Sequence, residues 1–77
     1  MTVGVSGYQM RAARALIGAN QSEIAAAAGV TRQTIQRIES SGSQPVVSRD
    51  ATVAAVLTAL GARGVVFLNR GVALASP

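Results

Sequence analysis

Apolar positions recur with a helical period in four stretches of the chain and with a strand-like one near its C-terminus. Met10, Ala13, Leu16 and Ile17 fall at i, i+3 and i+4 spacing, with Arg11 on another face. That pattern predicts a first helix over about 7–17, capped by Ser6 and ended at Gly18. Asn20 followed by Glu23 has capping-box spacing and opens a second helix over 21–28. Its body, "IAAAAG", combines high helix propensity with little bulk, so a neighbouring helix can cross it at close range. Thr31 is placed to cap a third helix over 32–39. The segment "SSGSQPVVSRD" then reads as a loop of about eight residues. Ser48 or Asp50 opens a fourth helix over about 49–60, with Val53, Val56, Leu57 and Leu60 on one face. The tail "VVFLNRGVAL" reads as two short strands around an Asn69-Arg70-Gly71 turn. A mainly α fold is expected: one helical domain over 1–62, then a short C-terminal β-hairpin or strand over 63–77.

The third helix is the most polarised. On a helical wheel Ile35 and Ile38 share one side, while Arg32, Gln33, Gln36 and Arg37 fill the opposite arc. No acidic residue interrupts that arc, and Glu39 stands at its margin. A solvated face usually mixes signs and gains i,i+4 ion pairs. This one repels itself slightly, which makes sense opposite an anion.

Composition sharpens the picture in one direction. The chain has 77 residues, enough for one small domain. Such a domain buries only about 60–65% of the surface of its unfolded chain, so self-association would add stability. Seven positive side chains oppose three acidic ones, and every positive one is arginine. A GC-rich genome would produce the same bias, but arginine's planar fork also suits phosphates and base edges. Cysteine and histidine are absent, so disulfides, thiolate metal sites and the usual zinc chemistry are not expected, and no cofactor is implied. A serine nucleophile would lack a base, so an enzyme is not expected either. The N-terminus shows no signal-peptide pattern, and "GVVFL" is far short of the roughly 20 apolar residues that span a bilayer. The expected location is the cytoplasm.

Gln21, Ile24, Ala25, Gly29, Val30, Ile35 and Ile38 have the spacing of a helix-turn-helix. Ala25 is small where two helices cross, Gly29 permits the sharp turn, and the aliphatic residues fill the wedge. The stretch "ARALIGANQSEIAAAAGVTRQTIQRIESSGSQP" resembles the DNA-binding domain of the Cro/CI (XRE) family of bacterial and phage regulators over roughly 8–60. The tail "GARGVVFLNRGVAL" is similar to that of short bacterial XRE proteins ending in small strands. No inducer-binding or protease-like domain is expected, a departure from full-length phage repressors.

The resemblance implies a four-helix, lambda-repressor-like fold that binds double-stranded DNA. It places Arg32, Gln33 and Arg37, with Gln36 beside them, at base edges in the major groove. Gln21 and Thr31 are implied at the DNA backbone. It also implies a structural ion pair between Arg14 and Glu39, with Arg14 near a phosphate. Ser43 and Arg49, in and after the loop, are further candidates for phosphate contact. Arg11 reads as a solvated residue of the first helix, with phosphate contact as its second reading, and Arg63 and Arg70 as surface or dimer-edge charges.

One recognition helix reads only a few base pairs, so a homodimer on a palindromic site is expected. Val65, Phe67, Leu68, Val72 and Leu74 are the expected dimerisation element, with Phe67 and Leu68 readable as core or dimer packing. Two other readings remain at this stage. The chain is an antitoxin-like interaction module or a subunit of a heteromeric regulator, whose C-terminal strands dock another protein. Alternatively it is an architectural protein indifferent to sequence.

Overall fold

The computed structural model describes residues 2–47 and 51–75. In chain order they form β1 (Thr2–Ser6), α1 (Gly7–Leu16), α2 (Gln21–Ala28), α3 (Arg32–Glu39), β2 (Pro45–Val47), α4 (Thr52–Gly61), β3 (Val65–Phe67) and β4 (Val72–Leu74). The protein is mainly helical, with a small C-terminal strand pair.

Local chemistry starts the first three helices. Ser6 accepts from the Gln9 amide while the Gln9 side chain accepts from the Ser6 N–H, so α1 opens on a full capping box. Asn20 and Glu23 form the same reciprocal pair at α2. The Thr31 hydroxyl accepts from the Thr34 N–H at the start of α3. At α4 the N-cap is Ala51, which makes no side-chain capping bond, and the helix begins at Thr52. The expected openers Ser48 and Asp50 lie outside the described residues.

The core gathers one side chain or more from nearly every element. Met10 and Ala13 of α1 meet Ile24 and Ala25 of α2, Ile35 and Ile38 of α3, and Val53, Val56 and Leu60 of α4. Ile24, Ile35, Val56 and Leu60 are the largest fully buried side chains. Each such burial contributes about 1.5–3 kcal/mol. Leu16, expected in the inward stripe of α1, is instead exposed. The helix ends there, and Ile17 beyond it packs against the core.

One finding corrects the expected layout. The segment after α3 is not all loop: its Pro45–Val47 pairs antiparallel with Thr2–Ser6 to form a two-stranded ribbon. Val5 and Val46 reach the core from that ribbon. A proline fits such a strand because the strand lies at a sheet edge, where its missing N–H is not needed.

The C-terminal hairpin is also bound into the body of the fold. Val65 pairs with Leu74, Val66 with Ala73 and Phe67 with Val72. Val65 is buried, and Phe67 and Val72 pack against the core. The buried Gln9 amide on α1 then donates to the carbonyls of Leu68 (2.8 Å) and Gly71 (3.1 Å). One side chain thereby caps α1 and holds the hairpin turn.

Candidate nucleic-acid interface

The turn between α2 and α3 sets the angle of the third helix. Gly29 caps α2 in the left-handed region, at φ 72° and ψ 31°. A side chain there would be strained, which is why glycine stands at this point. The Val30 N–H then closes back on the Ala25 carbonyl at 2.9 Å. Ala25 is buried at the crossing, and its small size lets α3 approach.

With α3 seated, its two faces separate cleanly. Ile35, Ile38 and Glu39 are buried, while Arg32, Gln33, Gln36 and Arg37 are exposed. Neither Arg32 nor Arg37 makes an ion pair among the described residues. The outer surface of α3 is thus a row of amide and guanidinium donors. Arginine's fork matches the two acceptors on a guanine edge, and a glutamine amide matches the donor and acceptor on adenine. Thr31, exposed at the N-terminus of the row, uses its hydroxyl on the Thr34 N–H and hydroxyl.

Glu39 anchors α3 from its buried side. Arg14 donates from Nε to Oε2 at 2.7 Å and from Nη2 to Oε1 at 2.9 Å, and its Nη1 reaches the Ala19 carbonyl at 3.1 Å. Gln21 donates to the same Oε1 at 3.3 Å, and Arg11 Nε stands 3.7 Å from it. Burial pushes the Glu39 carboxyl up, but the hydrogen bonds from Arg14 and Gln21 and the charges of Arg14 and Arg11 outweigh it. The net result is a carboxyl held below its ordinary range. The same hydrogen bond raises Arg14 above its ordinary value, against the opposing effect of its own burial.

A tight backbone contact completes the seat of α3. A Cβ on Gly7 would lie 2.6 Å from the Glu39 carbonyl, 2.7 Å from Ser41 Oγ and 2.8 Å from the Ile38 carbonyl. The first turn of α1 therefore touches the last turn of α3 backbone to backbone. Two bonds continue this contact: Tyr8 N–H to the Gly42 carbonyl at 2.9 Å, and Ser41 Oγ to the Ile38 carbonyl at 3.0 Å.

The structure thus brings Arg32, Gln33, Gln36 and Arg37 onto one surface and leaves Thr31 exposed at its edge. Gln21 lies beside Glu39, partly exposed, and Ser43 is exposed in the turn after α3. Arg14 turns inward, with only 19% of its side chain exposed. Arg49 lies outside the described residues. Of the residues expected at a dimer contact, Val65 is consumed by the core, whereas Leu68 and Leu74 are exposed.

Sequence reasoning missed the contacts of three residues. Gln9 had a visible signal, because Ser6-x-x-Gln9 is itself a capping-box spacing. Arg11 sits one helical turn before Arg14, so its approach to Glu39 was also implicit in the spacing. Gly7 gave no signal.

A family model described as a helix-turn-helix domain matches residues 7–67, from the start of α1 to the end of β3. No curated protein matches the chain. Among the described residues, no helix is long and apolar enough to cross a membrane.

Proposed function

The chain belongs to the helix-turn-helix domain family, and from that premise we propose that it is a sequence-specific DNA-binding regulator of transcription acting as a homodimer on a palindromic site. The observation that carries this reading is the outer face of α3, where Arg32, Gln33, Gln36 and Arg37 are exposed together without an acidic neighbour. Helix α3 enters the major groove, and Arg32, Gln33 and Arg37 read base edges with Gln36 alongside. Gln21, Thr31 and Ser43 meet the backbone. Arginines outnumber the two carboxylates among the described residues, and of these Glu39 is paired with Arg14 while Glu23 accepts from the Asn20 N–H at the α2 cap. The charge left over is therefore positive, as a phosphate surface requires.

Dimerisation uses the outward side of the C-terminal hairpin. Pairing across β3 and β4 puts Val65, Phe67 and Val72 toward the core and Val66 and Ala73 on the other face, with Leu68 exposed beyond them. Two copies joined there would present two α3 helices to successive major grooves, about 34 Å apart. Selection from a random duplex library tests the reading. Enrichment of an inverted repeat with half-sites one helical turn apart is expected. Enrichment of no motif would favour an architectural role.

The exposed Val66 and Leu68 also favour a second reading, in which this apolar strip docks a different protein. Purification from native cells distinguishes the two. A homodimer supports the first reading, and a stoichiometric complex with another chain supports the second.

A further inference from the structure

The first half of α1, the start of β2 and the turn of the C-terminal hairpin enclose an open-sided cleft of about 610 Å³. None of Arg32, Gln33, Gln36 and Arg37 lines it. The buried Gln9 does, but its amide nitrogen already donates to the Leu68 and Gly71 carbonyls. Three other side chains on the cleft keep their donors unspent: the Arg70 guanidinium, the Asn69 amide and the Tyr8 hydroxyl. Among the described residues, none of these three groups bonds or pairs with another protein group. Solvated surface side chains are often unpaired, so that alone marks nothing. What marks these is convergence, because α1 and the hairpin come from opposite ends of the chain and present them to one cavity. No carboxylate shares its lining, while Ala12, Pro45 and the Tyr8 ring supply apolar wall.

We infer that this cleft is a binding site for a small organic carboxylate. Concave sites of about 300–1,000 Å³ that join apolar wall to a few convergent polar groups are the usual form of small-molecule pockets. The single guanidinium balances one negative charge, so a polyphosphate would leave charge uncompensated. Its planar fork matches the two oxygens of a carboxylate. The Tyr8 hydroxyl and Asn69 amide add neutral hydrogen bonds, and the apolar wall takes an aromatic or aliphatic body. Sequence gave Arg70 only the role of a surface or dimer-edge charge; its neighbours in the cleft give it a ligand. The site stands independently of the DNA-binding reading, since it uses none of the base-facing residues of α3.

Amide NMR titrations of the whole chain with benzoate, benzyl alcohol and inorganic phosphate test the site. Benzoate is expected to bind with a dissociation constant on the order of 1 mM, as a ligand this small allows. Its shifts should concentrate on the amides of Tyr8, Asn69, Arg70 and Gly71. Benzyl alcohol carries the ring without the charge, and phosphate the charge without the ring. Each is expected to bind at least about tenfold more weakly than benzoate. Arg70→Gln should weaken benzoate by about tenfold or more, and Arg70→Lys should recover only part of that loss because it lacks the fork. Tyr8→Phe should weaken it about threefold. Both side chains are exposed, so the variants keep the wild-type spectrum away from the cleft. Wild-type benzoate affinity in Arg70→Gln would overturn the site, and so would shifts centred on the outer face of α3. Phosphate binding as tightly as benzoate would overturn the carboxylate assignment and leave an unselective anion patch.

Discussion

Arg14 and Glu39, 25 residues apart in the chain, close a two-pronged hydrogen-bonded fork at 2.7 and 2.9 Å that fixes the end of α3 to α1. Glu39 is only 3% exposed, so removing its charge leaves a partly buried guanidinium without a counterion. Glu39→Gln is expected to cost about 3 kcal/mol in chemical denaturation at neutral pH. The fork also predicts a pH dependence. Folding lowers the Glu39 pKa, so its stabilisation is complete above the unfolded value and lost as pH falls through the folded one. The wild-type melting midpoint should therefore drop on acidification below the ordinary glutamate value of about 4.3, and Glu39→Gln should drop less. Parallel curves for the two proteins would remove Glu39 from that role.

The backbone contact at Gly7 predicts an asymmetry between two glycines. Gly7→Ala forces a methyl group into the Ile38 and Glu39 carbonyls and should destabilise by about 1–3 kcal/mol. Gly61→Ala, in the last position of α4 with open space around it, should be neutral or stabilising by up to about 1 kcal/mol. Thermal melts of the two variants side by side read the difference directly.

Gln9 predicts that the hairpin and the first helix fail together. Gln9→Glu keeps the acceptor for the Ser6 N–H but loses the donor to the Leu68 and Gly71 carbonyls. A cost of about 2 kcal/mol is expected, because two acceptors are left facing a carboxylate. Hydrogen exchange should show the loss concentrated at Leu68 N–H, which now bonds the Gly71 carbonyl. Unchanged protection there would mean that the hairpin holds without Gln9.

The proposed dimer contact at Leu68 can be tested apart from folding. Leu68 is 54% exposed, so Leu68→Glu should leave the monomer's fold intact, as judged by circular dichroism. Sedimentation should nevertheless shift from dimer to monomer. A dimer that survives the substitution would place the contact elsewhere.

The helices were legible because their signals are local. Ser6, Asn20 and Thr31 announce helix starts within three residues of the groups they bond, and the two faces of α3 follow from its own period. The Arg14–Glu39 fork was legible only by family resemblance, since nothing local links two side chains on different helices. The β1–β2 ribbon was not legible. Its strands are separated by three helices, and "PVV" inside a Ser- and Gly-rich stretch looks like loop until Thr2–Ser6 lies beside it. Arg14 was only partly legible for a related reason. Its charge was visible in the sequence, but the spending of its donors on Glu39 and Ala19 exists only in three dimensions. The role of Val65 likewise depended on which face of the hairpin the core would claim.

The central claim is that the outer face of α3 reads bases. Its most direct test is the affinity of Arg32→Ala and Arg37→Ala for an enriched duplex and for a scrambled one. Each variant should lose roughly 1–3 kcal/mol on the enriched duplex and much less on the scrambled one, so that discrimination shrinks. Equal losses on both duplexes would contradict the claim and reduce the two arginines to backbone contacts.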